Sequence, residues 1–374
     1  MQWRIPISYL ARSSSPSWLG RHFLLAWHLV ILLVSWFPFS EWRYTGEGVL
    51  AFLAYPLPHY QSNFDNIINV LAYVPLGYAW VMLLRPRWVA IVWAMLAGGI
   101  LSALVEFVQQ FEPGRVASNL DILTNTSGAL LGAVAGVVLS KLLVVRVVYL
   151  FRLSLFRSGA LTDLGIVLLA VWLLTQMNPS TPLFGVVLQS TGIPQYWTPP
   201  FPAPTLILAA LQAMGVAAHL LSVTLFLTIL LSRQHQRGWA VVWLVGLAVL
   251  IKMAFAGMLL KPSRYLAWMD GNVLAGMLVA GVLLLFLVRL QRLWRATAAL
   301  GCTLLIHVVE QLWPLEGPFT GVFSLFSWRY GHVTDFQGLT MMLTGLWPPV
   351  AGLFLLVVMR ESWYERSGPT ILGR

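Results

Sequence analysis

The chain has 374 residues, of which 59% are hydrophobic and only 10% charged, with a formal net charge of +10; a soluble domain carries about a quarter charged residues. A mean hydropathy of +0.78 and 18 tryptophans exclude a soluble globular enzyme and a disordered chain, leaving a membrane protein. The positive balance alone would fit a nucleic-acid partner, but its distribution along the chain removes that class.

In chain order, apolar runs fall at about 22–38, 66–84, 89–109, 119–145, 160–177, 205–231, 238–259, 268–289, 296–313 and 336–359. Each approaches the roughly 20 residues a helix needs to cross about 30 Å of hydrocarbon. Backbone polar groups in lipid must pair within the protein, so these runs read as helices. Period-two alternation is absent, which argues against a barrel. The expected fold class is therefore all-α: a polytopic transmembrane helical bundle of about ten helices.

Alternate loops carry Arg4, Arg12 and Arg21; Arg85 and Arg87; Lys141, Arg146, Arg152 and Arg157; Arg233 and Arg237; Arg289, Arg292 and Arg295; and Arg360, Arg366 and Arg374. The positive-inside rule makes that side cytoplasmic, and both termini with it. Most of the acidic residues lie on or near the other side. Basic charge thus reports topology and anionic lipid headgroups, with no nucleic acid implied. Cys302 is the single cysteine, so no intrachain disulfide can form. The first run lacks a small-residue cleavage signature and is followed by Glu41-Trp42-Arg43, so it reads as a retained anchor.

Three parts are expected: 1–150 with four helices, 151–235 with two spacer helices that carry no polar signature, and 236–374 with four more. Between the spacer helices, Asn178 to Pro204 holds no charge and contains Tyr196-Trp197-Thr198-Pro199-Pro200. It reads as an irregular loop anchored on the headgroups by its aromatic rings, or as a lid over the outer site in contact with lipid.

Two distant stretches carry the same sparse polar pattern. The first runs Asp65-Asn66, Glu106, Arg115, Asp121; the second runs Asp270-Gly271-Asn272, Glu310, Arg329, Asp335. Their helices start on the same side, so the pattern reads as a parallel internal repeat, an arrangement in which sites often lie at the repeat interface. In the first stretch Asn66 and Asn69 share a helix face, and Pro75-Leu76-Gly77 follows. Glu106, Gln109 and Gln110 cluster at the outer end of the next helix. Asp121 and Asn125 open the one after, where an acid is favoured by exposed amides and the macrodipole. Gly128, Gly132 and Gly136 continue that stripe as a small-residue seam for close helix packing. Gly98-Gly99 reads as close packing too.

The segments Phe64-Asp65-Asn66-Ile67-Ile68-Asn69, Tyr73-Val74-Pro75-Leu76-Gly77, Glu106-Phe107-Val108-Gln109-Gln110, Arg115, and Asn119-Leu120-Asp121-Ile122-Leu123-Thr124-Asn125 with Gly128 and Gly132 resemble the VanZ-like family over about residues 60–140. The resemblance implies a multi-pass protein of the bacterial cytoplasmic (inner) membrane and a link to low-level teicoplanin resistance. It transfers no reaction, since no catalytic role attaches to these motif residues. Glu310-Gln311, Arg329, Asp335 and Gln337 read as a diverged second copy, near 268–345.

Three readings of the cluster stand side by side. In one, Glu106, Arg115 and Asp121 satisfy one another and cap helix ends, with no small-molecule ligand. In another, Asn66, Asn69, Glu106, Gln109, Gln110, Arg115, Asp121 and Asn125 engage a polar headgroup from the outer leaflet, Arg115 pairing bidentately with phosphate and the amides reading sugars or peptide groups. Membrane lipids, polyprenyl phosphates and lipid-linked glycans are the expected partners. The third is an intramembrane enzyme with Glu106 and Asp121 as an acid–base pair; the motifs of serine hydrolases and lipid phosphatases are absent. Transport is compatible with the repeat. Second-copy candidates are Asp270, Asn272, His307, Glu310, Gln311, Arg329 and Asp335. His307 lies three before Glu310 and His332 three before Asp335, a conceivable metal set, but Ala103 and Ser118 stand at the first-copy positions, so no metal is expected. No cofactor-binding fingerprint is present, and no protein partner is specified.

Overall fold

The computed structural model describes residues 18–36, 39, 42–44, 48, 50–57, 63–112, 116–178, 204–259, 266, 269–312 and 331–367. Its helices are α1 (Leu19–Trp36), α2 (Asn63–Leu83), α3 (Arg87–Gln109), α4 (Asn119–Leu139), α5 (Leu143–Leu155), α6 (Ala160–Thr175), α7 (Pro204–Leu230), α8 (Arg237–Leu259), α9 (Gly271–Leu287), α10 (Arg292–Leu312) and α11 (Gly331–Ser367). Among the described residues no strand forms beyond an isolated bridge between Phe156 and Leu231. Seven helices, α1 to α4, α7, α8 and α11, contain spans long and apolar enough to cross a membrane, while α6 and α9 are apolar but shorter. The protein is an all-α, polytopic membrane bundle.

One boundary differs from expectation. The apolar run 119–145 does not form one helix: α4 stops at Leu139, a turn follows with the Lys141 N–H on the Val138 carbonyl, and α5 begins at Leu143. Valine and leucine continue across this break, so hydropathy alone hides it. With Ser140, Lys141 and Arg146 entering the sequence, charge ends the span before apolar composition does. The uncharged outer loop read between Asn178 and Pro204 falls outside the described residues, apart from its two end residues.

The chain divides into two compact units, Met1–Ser154 with Ser158–Val167 and Gly331–Leu339, and Leu155–Arg157 with Leu168–Tyr330 and Thr340–Arg374. In the first, α2 and α4 run in the same direction with their backbones nearly touching. A Cβ at Gly128 would lie 2.2 Å from the Val70 carbonyl oxygen, one at Gly132 1.9 Å from that of Val74, and one at Gly77 1.9 Å from that of Ala129. Only glycine permits such an approach. The register holds along the seam, Gly136 meeting Tyr78 and Val81. From α3, Gly98 faces Ala129 closely. An apolar core of Tyr73, Leu76, Leu101 and Val105 fills the remaining space, joined from α1 by Leu24 and Ile31. Trp27 of α1 donates its indole N–H to the Ala72 carbonyl at 2.9 Å. At the start of α1 the Trp18 N–H donates to Asp163 at 2.9 Å, and that buried carboxylate also pairs with Arg152 of α5.

The second unit is centred on α7, the most buried of the spans. Gly276 of α9 brings that helix against the Ala213 carbonyl of α7. Ser222 of α7 shares a hydrogen bond of 2.6 Å with Thr303 of α10. Phe226 of α7 packs on Phe354 of α11 with ring centroids 4.8 Å apart, and His219 stacks on Trp347. Trp172 of α6 donates to His219 Nε2 at 3.2 Å, while Trp347 donates to the Leu168 carbonyl at 2.9 Å.

Basic side chains close helix C-termini in this unit. Lys252 of α8 is fully buried and donates to the carbonyl of Asn178, just beyond the end of α6. Arg295 donates to the Thr228 carbonyl in the last turn of α7 at 2.6 Å, and Arg237 to the Val288 carbonyl after α9 at 2.9 Å. Last-turn carbonyls lack intrahelical donors and carry the negative end of the helix dipole, so a cation answers both needs. Arg292 pairs with Glu361 at 2.9 Å, and Arg157 with Glu365 at 3.4 Å. Asp163, Glu361 and Glu365 are the acids that fall among the basic loops in the sequence, and each has an arginine partner.

Candidate functional site at the acidic end of the first unit

The parallel course of α2 and α4 puts their first turns together, and α3 returns its last turn to the same place. Asp65, Asn66 and Asn69 lie in the first two turns of α2, Glu106, Gln109 and Gln110 close α3, and Asp121 and Asn125 open α4. Sequence-distant polar residues are thereby gathered at one end of one unit.

Helix α4 begins with Ser118 as its cap. The hydroxyl accepts from the Asp121 N–H at 3.4 Å, and the Ser118 N–H donates to Glu106 Oε2 at 2.8 Å. Glu106 is only 2% exposed, so this charge is held on the positive end of α4 by geometry that a helix N-terminus favours. Asp121 accepts from Asn69 Nδ2 at 2.9 Å, tying the mouths of α2 and α4. One turn deeper, Asn125 donates through Nδ2 to Ser102 Oγ of α3 at 2.9 Å. Its Oδ1 has no hydrogen-bond partner among the described residues, and the buried Tyr73 hydroxyl and Asn66 Oδ1 share that condition.

Gln109 is turned away from this cluster, donating to the Ser35 carbonyl near the end of α1 at 2.8 Å, and Gln110 donates within its own turn to Phe107 at 2.6 Å. Both serve the helix ends. Three residues outside the candidate set complete the surroundings. Ser102 receives Asn125; Asn119 donates to the Tyr55 carbonyl at 2.5 Å; and the Arg43 N–H donates to the Phe111 carbonyl at 2.7 Å. The last two hold the 42–44 and 50–57 segments against the same end of the unit. Ser102 sits a helical turn before Glu106, a spacing that could have pointed to it.

Arg115 lies outside the described residues, as does Arg329, and the side chains of His307, Glu310, Gln311 and Asp335 are likewise not described. Of the second set, Asp270 and Asn272 are. Asp270 Oδ1 caps α9 by accepting from the Val273 N–H at 2.8 Å, and Oδ2 accepts from Gln212 of α7 at 3.0 Å. Gln212 in turn accepts from Asn272 at 2.9 Å. A carboxamide on one helix and a carboxylate at the mouth of a parallel neighbour therefore recur, but on α7 and α9. No group of three metal-ligating side chains occurs among the described residues.

Residues 12–141 match the model of the VanZ/LLP1 family. The match spans α1 to α4 and holds every described member of the first polar set; the second set lies beyond it. No curated protein and no solved structure matches the chain.

Proposed function

We propose that the acidic end of this VanZ-like unit binds the polar head of a cell-envelope lipid or lipid-linked glycan precursor from the outer leaflet of the bacterial inner membrane, and through it affects glycopeptide tolerance. The observation that carries this reading is the collection of Asn66, Asn69, Glu106, Asp121 and Asn125 at one end of three glycine-packed membrane helices. Burying ionisable groups in a membrane costs about 2.5–3.5 kcal/mol each at its centre and is a mark of function by default. Large apolar side chains on the outside of the same helices, Leu71, Ile100 and Leu131, are exposed and suit contact with acyl chains. A headgroup can then arrive sideways while its tails stay in lipid. Arg115, in the segment between α3 and α4, is the residue assigned to a phosphate, through a bidentate guanidinium contact.

A second reading, helix packing alone, draws support from the Glu106–Ser118 and Asn69–Asp121 contacts. Native mass spectrometry of lipids retained by the gently purified protein separates the two. A prenyl-phosphate or glycan-lipid adduct that is lost in Arg115→Ala and Glu106→Gln, with thermal stability kept, is the expected result. Glu106→Gln preserves an acceptor for the Ser118 N–H, so its folding cost should stay below about 1 kcal/mol. Identical bulk phospholipid in all three proteins, with lowered stability in both variants, would leave packing as the role.

A further inference from the structure

The basic end of the second unit gathers more positive charge than its own acids answer. Arg295 donates to the Thr228 carbonyl at 2.6 Å, and two residues on, the Leu230 carbonyl accepts the Arg157 N–H at 2.9 Å. Arg292 stands three residues before Arg295, on the same face of α10. It lies 3.6 Å from Glu365, which also meets Arg157 at 3.4 Å, and 2.9 Å from Glu361. Arg237, at the start of α8, completes the group: the charges of Arg237, Arg292 and Arg157 all act on Arg295. Glu361 and Glu365, both exposed, answer Arg292 and Arg157, while Asp163, the other acid of the basic loops, is taken by Arg152. Among the described residues Arg237 and Arg295 have no carboxylate partner. Four guanidiniums against two carboxylates leave two positive charges in excess, and Arg295 carries one of them at 2% exposure. The Nε atoms of Arg237, Arg292 and Arg295 are buried without an acceptor among the described residues. Gln236 Oε1 and the Ser362 hydroxyl lack hydrogen-bond partners there too, but both are neutral and offset no charge.

A backbone carbonyl satisfies one N–H of a guanidinium but brings no counter-charge, and a buried charge left uncompensated is costly. An anion with several acceptor oxygens supplies both needs. Phosphate fits best, because the guanidinium fork matches its oxygens bidentately. The surroundings say where that phosphate comes from. Trp239 of α8, Phe286 of α9 and Trp294 of α10 are exposed close to the arginines in sequence, as aromatic side chains are at headgroup level. Basic pockets between membrane helices on the cytoplasmic side hold anionic lipid heads in other proteins, and the positive-inside rule assigns this end to that side. We infer that the cluster of Arg157, Arg237, Arg292 and Arg295 binds the phosphate of an anionic phospholipid of that leaflet, with Arg295 and Arg237 making the charged contacts. None of these residues belongs to the acidic end of the first unit, and the lipid is a different one from the precursor proposed there.

The test uses the full chain in phosphatidylcholine nanodiscs with a minor share of phosphatidylglycerol, retained lipid being read by native mass spectrometry. Wild type should hold phosphatidylglycerol over phosphatidylcholine by at least about tenfold, relative to their shares in the disc. Arg295→Gln and Arg237→Gln, each keeping an N–H for its helix carbonyl, should reduce that preference to near parity. Arg289→Gln removes an exposed arginine at the same end and should leave most of it. Thermal unfolding is recorded alongside, and Arg237→Gln decides where Arg295→Gln fails to fold. Absence of preference in wild type, or its survival in the cluster variants, overturns the site. A loss in Arg289→Gln as large as in the cluster variants overturns it too, because the attraction is then that of a diffuse basic surface. Inorganic phosphate titrated into pure phosphatidylcholine nanodiscs tests the other source. Stabilisation by phosphate in wild type and not in Arg237→Gln, with no phosphatidylglycerol preference, makes the ligand a soluble phosphate and overturns the lipid.

Discussion

The first unit brings helices together by omitting side chains, and the second by burying polar ones. Along α2 and α4, Gly77, Gly128 and Gly132 let carbonyl oxygens approach where any Cβ would collide. The acids of α2, α3 and α4 gather at one end, where they answer helix N-termini: Glu106 on the Ser118 N–H, Asp121 at the first turn of α4. Along α7 the interior itself is polar, with His219, Ser222, Thr224 and Thr228 at its contacts, and cations answer C-termini: Lys252 after α6, Arg295 on α7, Arg237 after α9. Both arrangements obey the same rule about unsatisfied helix ends, applied with opposite sign. The lesson is that the same need is met by acids on backbone N–H groups in one unit and by basic side chains on backbone carbonyls in the other.

The contrast can be broken most decisively at the glycines. Gly132→Val drives atoms into the Val74 carbonyl and should cost about 3 kcal/mol or more, at the upper end of overpacking, seen as lost thermal stability in detergent. Gly281→Val meets nothing within 4 Å in α9 and should stay within about 0.5 kcal/mol. Equal losses would erase the distinction. Next in size, Lys252→Met removes a donor from the Asn178 carbonyl and should cost about 1–3 kcal/mol, with hydrogen exchange rising at the end of α6. Unchanged exchange there would mean the lysine does not hold that helix end.

Smaller again is the cap: Ser118→Ala should cost about 1 kcal/mol and fray the start of α4 without altering α9, whose cap is Asp270. The finest comparison is a pair of double-mutant cycles, Asn69 with Asp121 and Gln212 with Asp270. Each polar contact between membrane helices should couple by about 0.6 kcal/mol. A markedly larger value at Asn69–Asp121 alone would weight the first unit toward packing over ligand binding.

Much of this architecture is legible in the sequence because the membrane imposes few solutions. Hydrophobic length locates the ends of most helices, the rarity of charge isolates Glu106 and Asp121, and the four-residue glycine spacing marks the packing face of α4, though not α2 as its partner. Elsewhere the same signals fail for physical reasons. Only Ser140 and Lys141 interrupt the apolar residues after Leu139, so α5 merges with α4 when hydropathy is averaged over a window. Helix α7 carries no Asp, Glu, Lys or Arg, so it reads as a spacer, although Gln212, His219 and Ser222 join it to α6, α9, α10 and α11. Lys252 stands alone in an apolar run and gives no spacing pattern; its bond to the Asn178 carbonyl appears only in the fold. Asp270 matches Asp65 in pattern but acts as a helix cap, whereas Asp65 lies inside the first turn of α2. A shared residue type does not fix a shared local role.

The seam between α2 and α4 has one more consequence, for how such a unit can change over generations. A contact built from side chains can be retuned in either direction, by a methyl more here and one fewer there. A contact built from their absence has no such freedom. At positions 77, 128 and 132 every available substitution adds atoms where a carbonyl already sits, so variation there can only subtract from stability. Innovation in this unit is therefore pushed outward, to the polar mouth and to the lipid-facing sides, while the seam itself is kept intact or the unit is lost with it.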